Sequence, residues 1–74
     1  MEYEDSNLKI KELRVNRKYR HHRSKEIYEV KEILPIKIDG SWLLAGLVVY
    51  EYVETGLRFS RLTENFLESF EELE

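Results

Sequence analysis

The residues with the most evident chemistry form a basic segment, Arg14 to Lys25, which holds six lysines or arginines, two histidines and no acid in twelve positions. Such cations could neutralise nucleic-acid phosphates, while Tyr19, Tyr28 or Trp42 could stack on single-stranded bases. The same composition is typical of a solvated turn on a small domain. The candidate binding residues are therefore Arg14, Arg17, Lys18, Arg20, Arg23, Lys25 and Trp42.

Metal binding and catalysis find little support in the residue types. His21 and His22 are adjacent, and neighbours in a strand point to opposite faces, so we expect one to pack or hydrogen-bond and the other to face solvent. The chain has no cysteine, which removes thiol nucleophiles, disulfides and cysteine-based zinc sites. Its serines lack a nucleophile-elbow context, and it has no glycine-rich phosphate loop. We predict no catalytic residue, no metal, no cofactor and no enzymatic activity.

The distribution of charge argues against a dedicated nucleic-acid binder. The net charge is −3 and the isoelectric point about 5.4, whereas binding domains of that kind usually exceed about 9. Residues 64–74 carry five acids and no base. Because the basic and acidic runs are far apart in sequence, we expect a dipolar molecule that steers charged partners.

Length and composition predict one small soluble domain. A chain of 74 residues forms at most one domain of marginal stability. The acidic start differs from a signal peptide, and the longest apolar run, Trp42 to Tyr50, is too short to span a bilayer as a helix. We predict a frayed acidic terminus at residues 1–7, a single domain over residues 8–74, no membrane association and a cytoplasmic location. Leu8 and Ile10 fit a strand or a helix, and the oligomeric state stays open.

Alternating apolar residues predict three consecutive antiparallel strands. The first has its apolar phase at even positions from Tyr28 to Ile38, with Pro35 marking an edge or a bulge. Asp39-Gly40 is a strong signal for a two-residue hairpin turn. The return strand runs through Val48 and Tyr50, with Gly46 marking a bulge or a close backbone approach. After a turn at residues 54–56, residues 57–62 form the third strand.

From Thr63 the apolar period changes to about 3.6, which predicts a short amphipathic C-terminal helix with Thr63 as its N-cap and a fraying last turn. Its apolar face contains Phe66, Leu67, Phe70 and Leu73. Arg61 falls on the inward face of its strand, so we expect it to pair with Glu32 unless strand twist carries it to solvent. The predicted core is Tyr28, Val30, Leu34, Ile36, Val48, Tyr50, Phe59, Phe66 and Phe70.

Residues 17–72 resemble the small bacterial and phage family known as domain of unknown function 1653. The resemblance lies in a Tyr-Arg-His segment, a Tyr-Glu-Val strand, a Val-Val-Tyr strand, an arginine-containing strand and a Phe-Leu-Glu helix. The matching positions are Tyr19, Arg20, His21, Tyr28, Glu29, Val30, Val48, Val49, Tyr50, Arg61, Phe66, Leu67 and Glu68. The resemblance implies a small SH3-like antiparallel barrel, or a curled sheet closed by the C-terminal helix, and it implies no activity.

Two functions remain, because SH3-like folds host several unrelated roles. The first is a non-enzymatic interaction module that binds a host or phage protein through loops and exposed strand edges. The alternative is single-stranded nucleic-acid binding through residues 14–25. The first requires fewer features that the chain lacks, so it is the preferred prediction.

Overall fold

The computed structural model describes residues 13–73, which form five strands and one helix. The predicted frayed terminus at residues 1–7 and the ambiguous segment around Leu8 and Ile10 lie outside these residues. The elements in chain order are β1 (Lys18–His21), β2 (Ile27–Ile38), β3 (Ser41–Tyr52), β4 (Arg58–Leu62), α1 (Thr63–Ser69) and β5 (Phe70–Glu72).

The strands form one antiparallel sheet in the order β4-β3-β2-β1-β5, which confirms the prediction of a mainly β protein with one short helix. The edge strands are β4 and β5, and no pairing between them is present within residues 13–73. The sheet is therefore curled but not closed by backbone hydrogen bonds. Helix α1 directly connects the two edge strands across the concave face.

The hairpin between β2 and β3 forms at the predicted turn. Asp39 and Gly40 have φ values of 51° and 80°, and Ile38 pairs with Ser41 on either side of them. A two-residue turn with positive φ at both positions matches the right-handed twist of the strands that it joins. Asp-Gly supplies both conformations at low cost, so this local prediction is confirmed.

A β-bulge in β2 changes which side chains face the core. Val30 pairs with Tyr50 but Glu32 pairs with Val49, so one extra residue lies between them in β2. After the bulge, Ile33 lies opposite the buried Val48 and packs on the core. The predicted inward phase at even positions is therefore wrong beyond Val30, because one inserted residue exchanges the two faces of a strand.

Pro35 occupies a position where its missing N–H does no harm. Strand β1 pairs with β2 only as far as Glu29, so at Pro35 the only neighbouring strand within residues 13–73 is β3. A second register shift separates the pairs made by Leu34 and Ile36. Both predicted explanations, an edge and a bulge, are confirmed. Beyond this point β2 and β3 continue as a two-stranded hairpin.

The C-terminal helix is shorter than predicted, and its beginning differs too. It ends at Ser69, and residues 70–72 form β5 beside β1, since the edge of β1 offers backbone partners that a last helical turn would lack. Leu62 occupies the N-cap position, and the buried Thr63 instead donates its hydroxyl hydrogen to the Ala45 carbonyl oxygen at 2.6 Å. The predicted helical position of Phe70 and Leu73 and the capping role of Thr63 are therefore wrong.

The core lies between the sheet and α1. The Phe66 and Phe70 rings stack at 4.2 Å, and Phe66 also contacts the rings of Tyr19 and Tyr50, each at 5.2 Å. The buried apolar residues are Leu13, Tyr19, Val30, Val48, Tyr50, Phe66 and Phe70.

Five of the nine predicted core residues are fully buried, and two more, Tyr28 and Ile36, are half-buried. The prediction is wrong for Leu34, which the bulge turns outward, and for Phe59, which is 44% exposed. Phe59 lies on the inward phase opposite Tyr50, but β4 is an edge strand, because no strand of residues 13–73 pairs with its outer side. No helix within residues 13–73 is long and apolar enough to cross a membrane.

Candidate functional site

Two arginines of the basic segment are paired with acids of β5. Arg20 lies opposite Glu71, with 3.6 Å between Nη1 and Oε2, and the Arg17 Nη2 atom lies 2.9 Å from Glu72 Oε2. Exposed ion pairs of this kind contribute only about 0–1 kcal/mol each. They nevertheless place opposite charges side by side, so the predicted separation of charge is wrong for these four residues.

The remaining predicted binding residues are spread over both ends of the sheet. Arg14, Lys18, Arg23 and Lys25 are exposed in β1 and its flanking turns. Trp42 lies next to the Asp39-Gly40 turn, where the Lys37 Nζ atom is 5.9 Å from the ring centroid. The length of β2 separates Trp42 from the basic residues in a molecule whose longest dimension is 37 Å. Tyr19, a proposed stacking residue, is buried.

The two histidines have different environments, as expected. His22 is exposed, whereas the His21 ring packs edge-on against Phe70 with 4.9 Å between centroids. The His21 Nδ1 atom accepts hydrogen bonds from the backbone N–H groups of Arg23 and Ser24, both at 3.2 Å. Partial burial, followed by the charge of Arg61, lowers the pKa of His21 below 6.5. Because Nδ1 accepts these hydrogen bonds, neutral His21 carries its proton on Nε2.

Arg61 lies on the inward side of β4, but its partners are neutral. Its Nε donates to the Tyr50 hydroxyl at 2.8 Å, and Nη1 donates to Asn65 Oδ1 at 2.7 Å and Ser69 Oγ at 3.1 Å. The predicted pair with Glu32 is wrong, because the bulge places Glu32 opposite Val49 on the other face. The guanidinium carbon also lies 5.3 Å from the centroid of the Phe70 ring.

Arg61 and His21 together line an open two-part cleft on the concave side of the sheet. One part, of about 280 Å³, is walled by the rings of Tyr28, Tyr50 and Phe59. The other, of about 370 Å³, lies beside Glu68 and Ser69. We call these two parts together the Arg61 cleft. Within residues 13–73, no three His, Cys, Asp or Glu side chains converge as a metal site.

Glu26 closes one end of the Arg61 cleft and binds two tyrosine hydroxyls. Its Oε2 accepts a hydrogen bond from Tyr52 at 3.0 Å, and its Oε1 accepts one from Tyr28 at 3.4 Å. The hydrogen bond to Glu26, together with some desolvation, raises the pKa of Tyr52 to about 12. Desolvation, followed by the Glu26 charge, also raises the pKa of Tyr28.

Replacing Glu26 should lower the pKa of Tyr52. E26Q removes the largest cause of the shift but leaves the weaker effect of Glu54, so we expect the Tyr52 pKa to fall from about 12 part of the way towards the ordinary value of about 10. The change is measurable from the pH dependence of the tyrosine ¹³Cζ resonance. Glu68→Gln removes an equal charge away from Tyr52 and should leave its pKa unchanged. An unchanged Tyr52 titration in E26Q would contradict the assigned hydrogen bond.

A second candidate surface lies on the hairpin of β2 and β3. Leu34, Leu47 and Leu62 form one row across three strands on the face opposite the core. Trp42 is 61% exposed and Leu44 is 80% exposed. The uncharged run from Trp42 to Tyr50 predicted a return strand and was too short for a membrane span, and Trp42 was already a candidate binding residue. That run was also the available signal of this surface, which we call the hairpin surface and define as Leu34, Trp42, Leu44, Leu47 and Leu62.

Comparison of the chain with models of protein families, with curated proteins and with solved structures finds no match to any of them.

Proposed function

We propose that the chain is a small non-enzymatic interaction module that binds a protein partner through the hairpin surface. The observation that carries this proposal is the exposure of Trp42 and Leu44 on β3 of the projecting hairpin, within the uncharged run from Trp42 to Tyr50. Contiguous exposed apolar side chains are typical of protein interaction sites. Exposed tryptophan is especially suited to such sites, because one side chain buries a large area in a complex.

The geometry of the hairpin supports this proposal independently. Beyond Leu34 and Leu47, β2 and β3 pair only with each other among the described residues. An isolated two-stranded ribbon is marginally stable in water, and its open edges can accept a further strand. Pro35 interrupts the free edge of β2. The free edge of β3, on the other side of the hairpin, contains Leu44 and offers the better backbone hydrogen-bonding groups for a bound chain.

We further propose that the curled sheet is a small barrel of the SH3-like type implied by the resemblance. Support comes from the strand order, in which β1 lies between β2 and β5, and from α1, which connects the edge strands. Phe66 of α1 packs on Tyr19 of β1 and on Tyr50 of β3. Side chains of one helix thereby cover the concave face that a closed barrel would enclose.

The proposed function is tested by capture from a bacterial lysate, with and without nuclease. We expect the wild type to retain a discrete protein after nuclease treatment, and Trp42→Ser with Leu44→Ser to lose it. The control replaces Val53 and Leu57 by serine. These residues are also apolar and exposed but lie in the turn before β4, at the other end of the sheet. Capture that survives the hairpin variant, or that nuclease abolishes, would contradict the proposal.

The alternative function, single-stranded nucleic-acid binding, predicts a distinct salt dependence. If the basic segment contacts phosphates, replacing Arg17, Arg20 and Arg23 by glutamine should flatten the salt slope by about one unit per lost contact. Since Glu71 and Glu72 already neutralise two of these arginines, we expect weak wild-type binding and no change in the triple variant. Fluorescence anisotropy with single-stranded DNA and RNA across a salt series measures this. Micromolar binding that the triple variant loses would place nucleic-acid recognition first.

A further inference from the structure

The Arg61 cleft holds the charge of Arg61, a second N–H donor in His21 and an aromatic wall in which Phe59 is exposed. The proposed hairpin interface uses none of these groups. We propose that this cleft binds a carboxylate attached to an aromatic or other bulky apolar group. Two kinds of molecule carry such a group: a small aryl acid, and a peptide that ends in an aromatic residue with a free carboxylate. The inference is independent of the hairpin surface, because none of the residues of that surface lines the cleft.

Arg61 is held in position without being neutralised. Its three hydrogen bonds go to Tyr50, Asn65 and Ser69, all neutral, and occupy Nε and Nη1. Among residues 13–73, no carboxylate lies within ion-pairing distance of Arg61, and its Nη2 group retains two N–H donors. A guanidinium whose orientation is already fixed loses little conformational freedom when it binds a planar anion.

His21 supplies a second donor to the same cleft. Its Nδ1 atom is occupied by two backbone N–H groups, so the neutral ring presents Nε2–H as a donor. His21 and Arg61 line both parts of the cleft. A carboxylate between them would accept from a charged and a neutral donor, a combination that suits a single negative charge.

The aromatic walls select what the carboxylate is attached to. Phe59 leaves 44% of its surface exposed although it faces inward, and its ring lies 5.8 Å from Tyr50 and 6.3 Å from Tyr28. Rings arranged in this way can accept a further aromatic group edge-on or stacked. The part of the cleft that they wall, about 280 Å³, is close to the lower limit of about 300 Å³ for small-ligand sites.

Two acids favour a carboxylate over phosphate. Glu26 lines the aromatic part of the cleft, and Glu68 lines the other part. Their charges oppose any anion, and they oppose a doubly charged phosphate more strongly than a singly charged carboxylate. The Glu26 carboxylate is itself directed to the hydroxyls of Tyr28 and Tyr52. Arg23 also lines the part beside Glu68, so the two arginines and the two glutamates that line the cleft balance in charge. Such a lining suits a singly charged carboxylate better than a doubly charged phosphate.

The test is NMR titration of the full chain with 3-phenylpropionate, its uncharged amide and inorganic phosphate. We expect the acid to bind with a dissociation constant of about 1 mM, as is usual for a fragment of this size. Its binding should shift the Arg61 Nε–H and His21 ring resonances, and the amide and phosphate should bind at least tenfold more weakly. Equal affinity for acid and amide, or tighter binding of phosphate, would overturn the proposal.

Three variants distinguish binding at a specific site from non-specific electrostatic attraction of the anion. Arg61→Lys keeps the charge but loses the planar donor set, and Phe59→Ala removes a wall at an exposed position where the fold tolerates truncation. Each should weaken acid binding at least fivefold. Arg58→Gln is the matched control, since Arg58 lies on the same strand but pairs with Glu51 on the other face, and it should change affinity less than twofold. Unchanged binding in folded F59A and R61K would refute the site.

A second set of titrations, with peptides, identifies which kind of molecule supplies the carboxylate. A pentapeptide with a C-terminal phenylalanine is compared with its C-terminal amide and with 3-phenylpropionate. Tenfold tighter binding of the free-acid peptide than of both others supports the proposal with a peptide as ligand. Equal affinity of the peptide acid and the small acid supports it with a small aryl acid. Equal affinity of the two peptides, acid and amide, would contradict carboxylate recognition.

Discussion

Replacing Phe66 by alanine is expected to unfold the protein. The Phe66 side chain is completely buried and contacts Phe70, Tyr19 and Tyr50, so it joins α1 to both halves of the sheet. Truncating a buried phenylalanine costs about 3–5 kcal/mol. At about 0.05–0.15 kcal/mol per residue, a chain of 74 residues has a total stability of about 4–11 kcal/mol. Small domains lie near the lower end of that range, where this loss removes most or all of the stability. Urea unfolding followed by circular dichroism measures the effect.

Phe59→Ala is the matched control for Phe66→Ala, because it is the same substitution at a ring that is nearly half exposed. The loss should be well under half of that for Phe66, since less surface returns to water and no enclosed cavity forms. A Phe66→Ala variant as stable as the wild type would show that α1 does not pack on the sheet. Equal losses at both positions would contradict the different burial of the two rings.

Gly46→Ala is expected to destabilise the hairpin by about 1–3 kcal/mol through overpacking. Gly46 is buried at the irregular stretch of β3, and a Cβ atom there would overlap the Ile36 Cγ2 atom and lie 3.0 Å from the Leu43 Cβ atom. The Cγ2 atom is attached directly to the Ile36 Cβ, so it cannot move aside without shifting the backbone or the rotamer. The predicted close approach at Gly46 is thereby confirmed. The free energy of unfolding in urea measures the loss.

A double-mutant cycle tests the cause of that loss. Ile36→Ala removes the Cγ2 atom that a new Cβ would meet, so Gly46→Ala should cost less in the Ile36→Ala background than in the wild type. We expect a coupling of about 1 kcal/mol, within the range seen for residues in contact. Strictly additive effects would show that Gly46 is required for a reason other than its contact with Ile36.

The hairpin of β2 and β3 shows what local chemistry determines. Asp39-Gly40 specifies a two-residue turn because both positions need positive φ, and this requirement holds whatever surrounds the turn. Pro35 likewise cannot donate to a neighbouring strand, so an edge or a bulge was predictable. The apolar phase of β3, with Val48 and Tyr50 inward, also followed from alternation alone, because no bulge interrupts residues 48–52.

The location of charge depended on strand pairing. Residues 70–72 have a helical apolar pattern and acids suited to a solvent-facing turn, but they pair with β1 as β5. That pairing brings Glu71 and Glu72 to Arg20 and Arg17. Local propensity is a weak prior that an available strand edge can override. Two of the six cations in the basic segment are therefore paired through a contact between segments about fifty residues apart.

The candidate sites were only partly predictable for the same reason. Sequence alternation placed Arg61 inward, but its partners come from β3 and from α1, and the bulge after Val30 removed Glu32 from that face. The meeting of Arg61 with His21 depends on β5 bringing Phe70 beside β1. The sequence by itself thus determined the turn, the three strands β2, β3 and β4 and most of the core, since these depend on local conformation and period. The tertiary structure alone decided which charged side chains meet. Their pairing depends on the bulge after Val30 and on the pairing of β5 with β1, and long-range contacts set both.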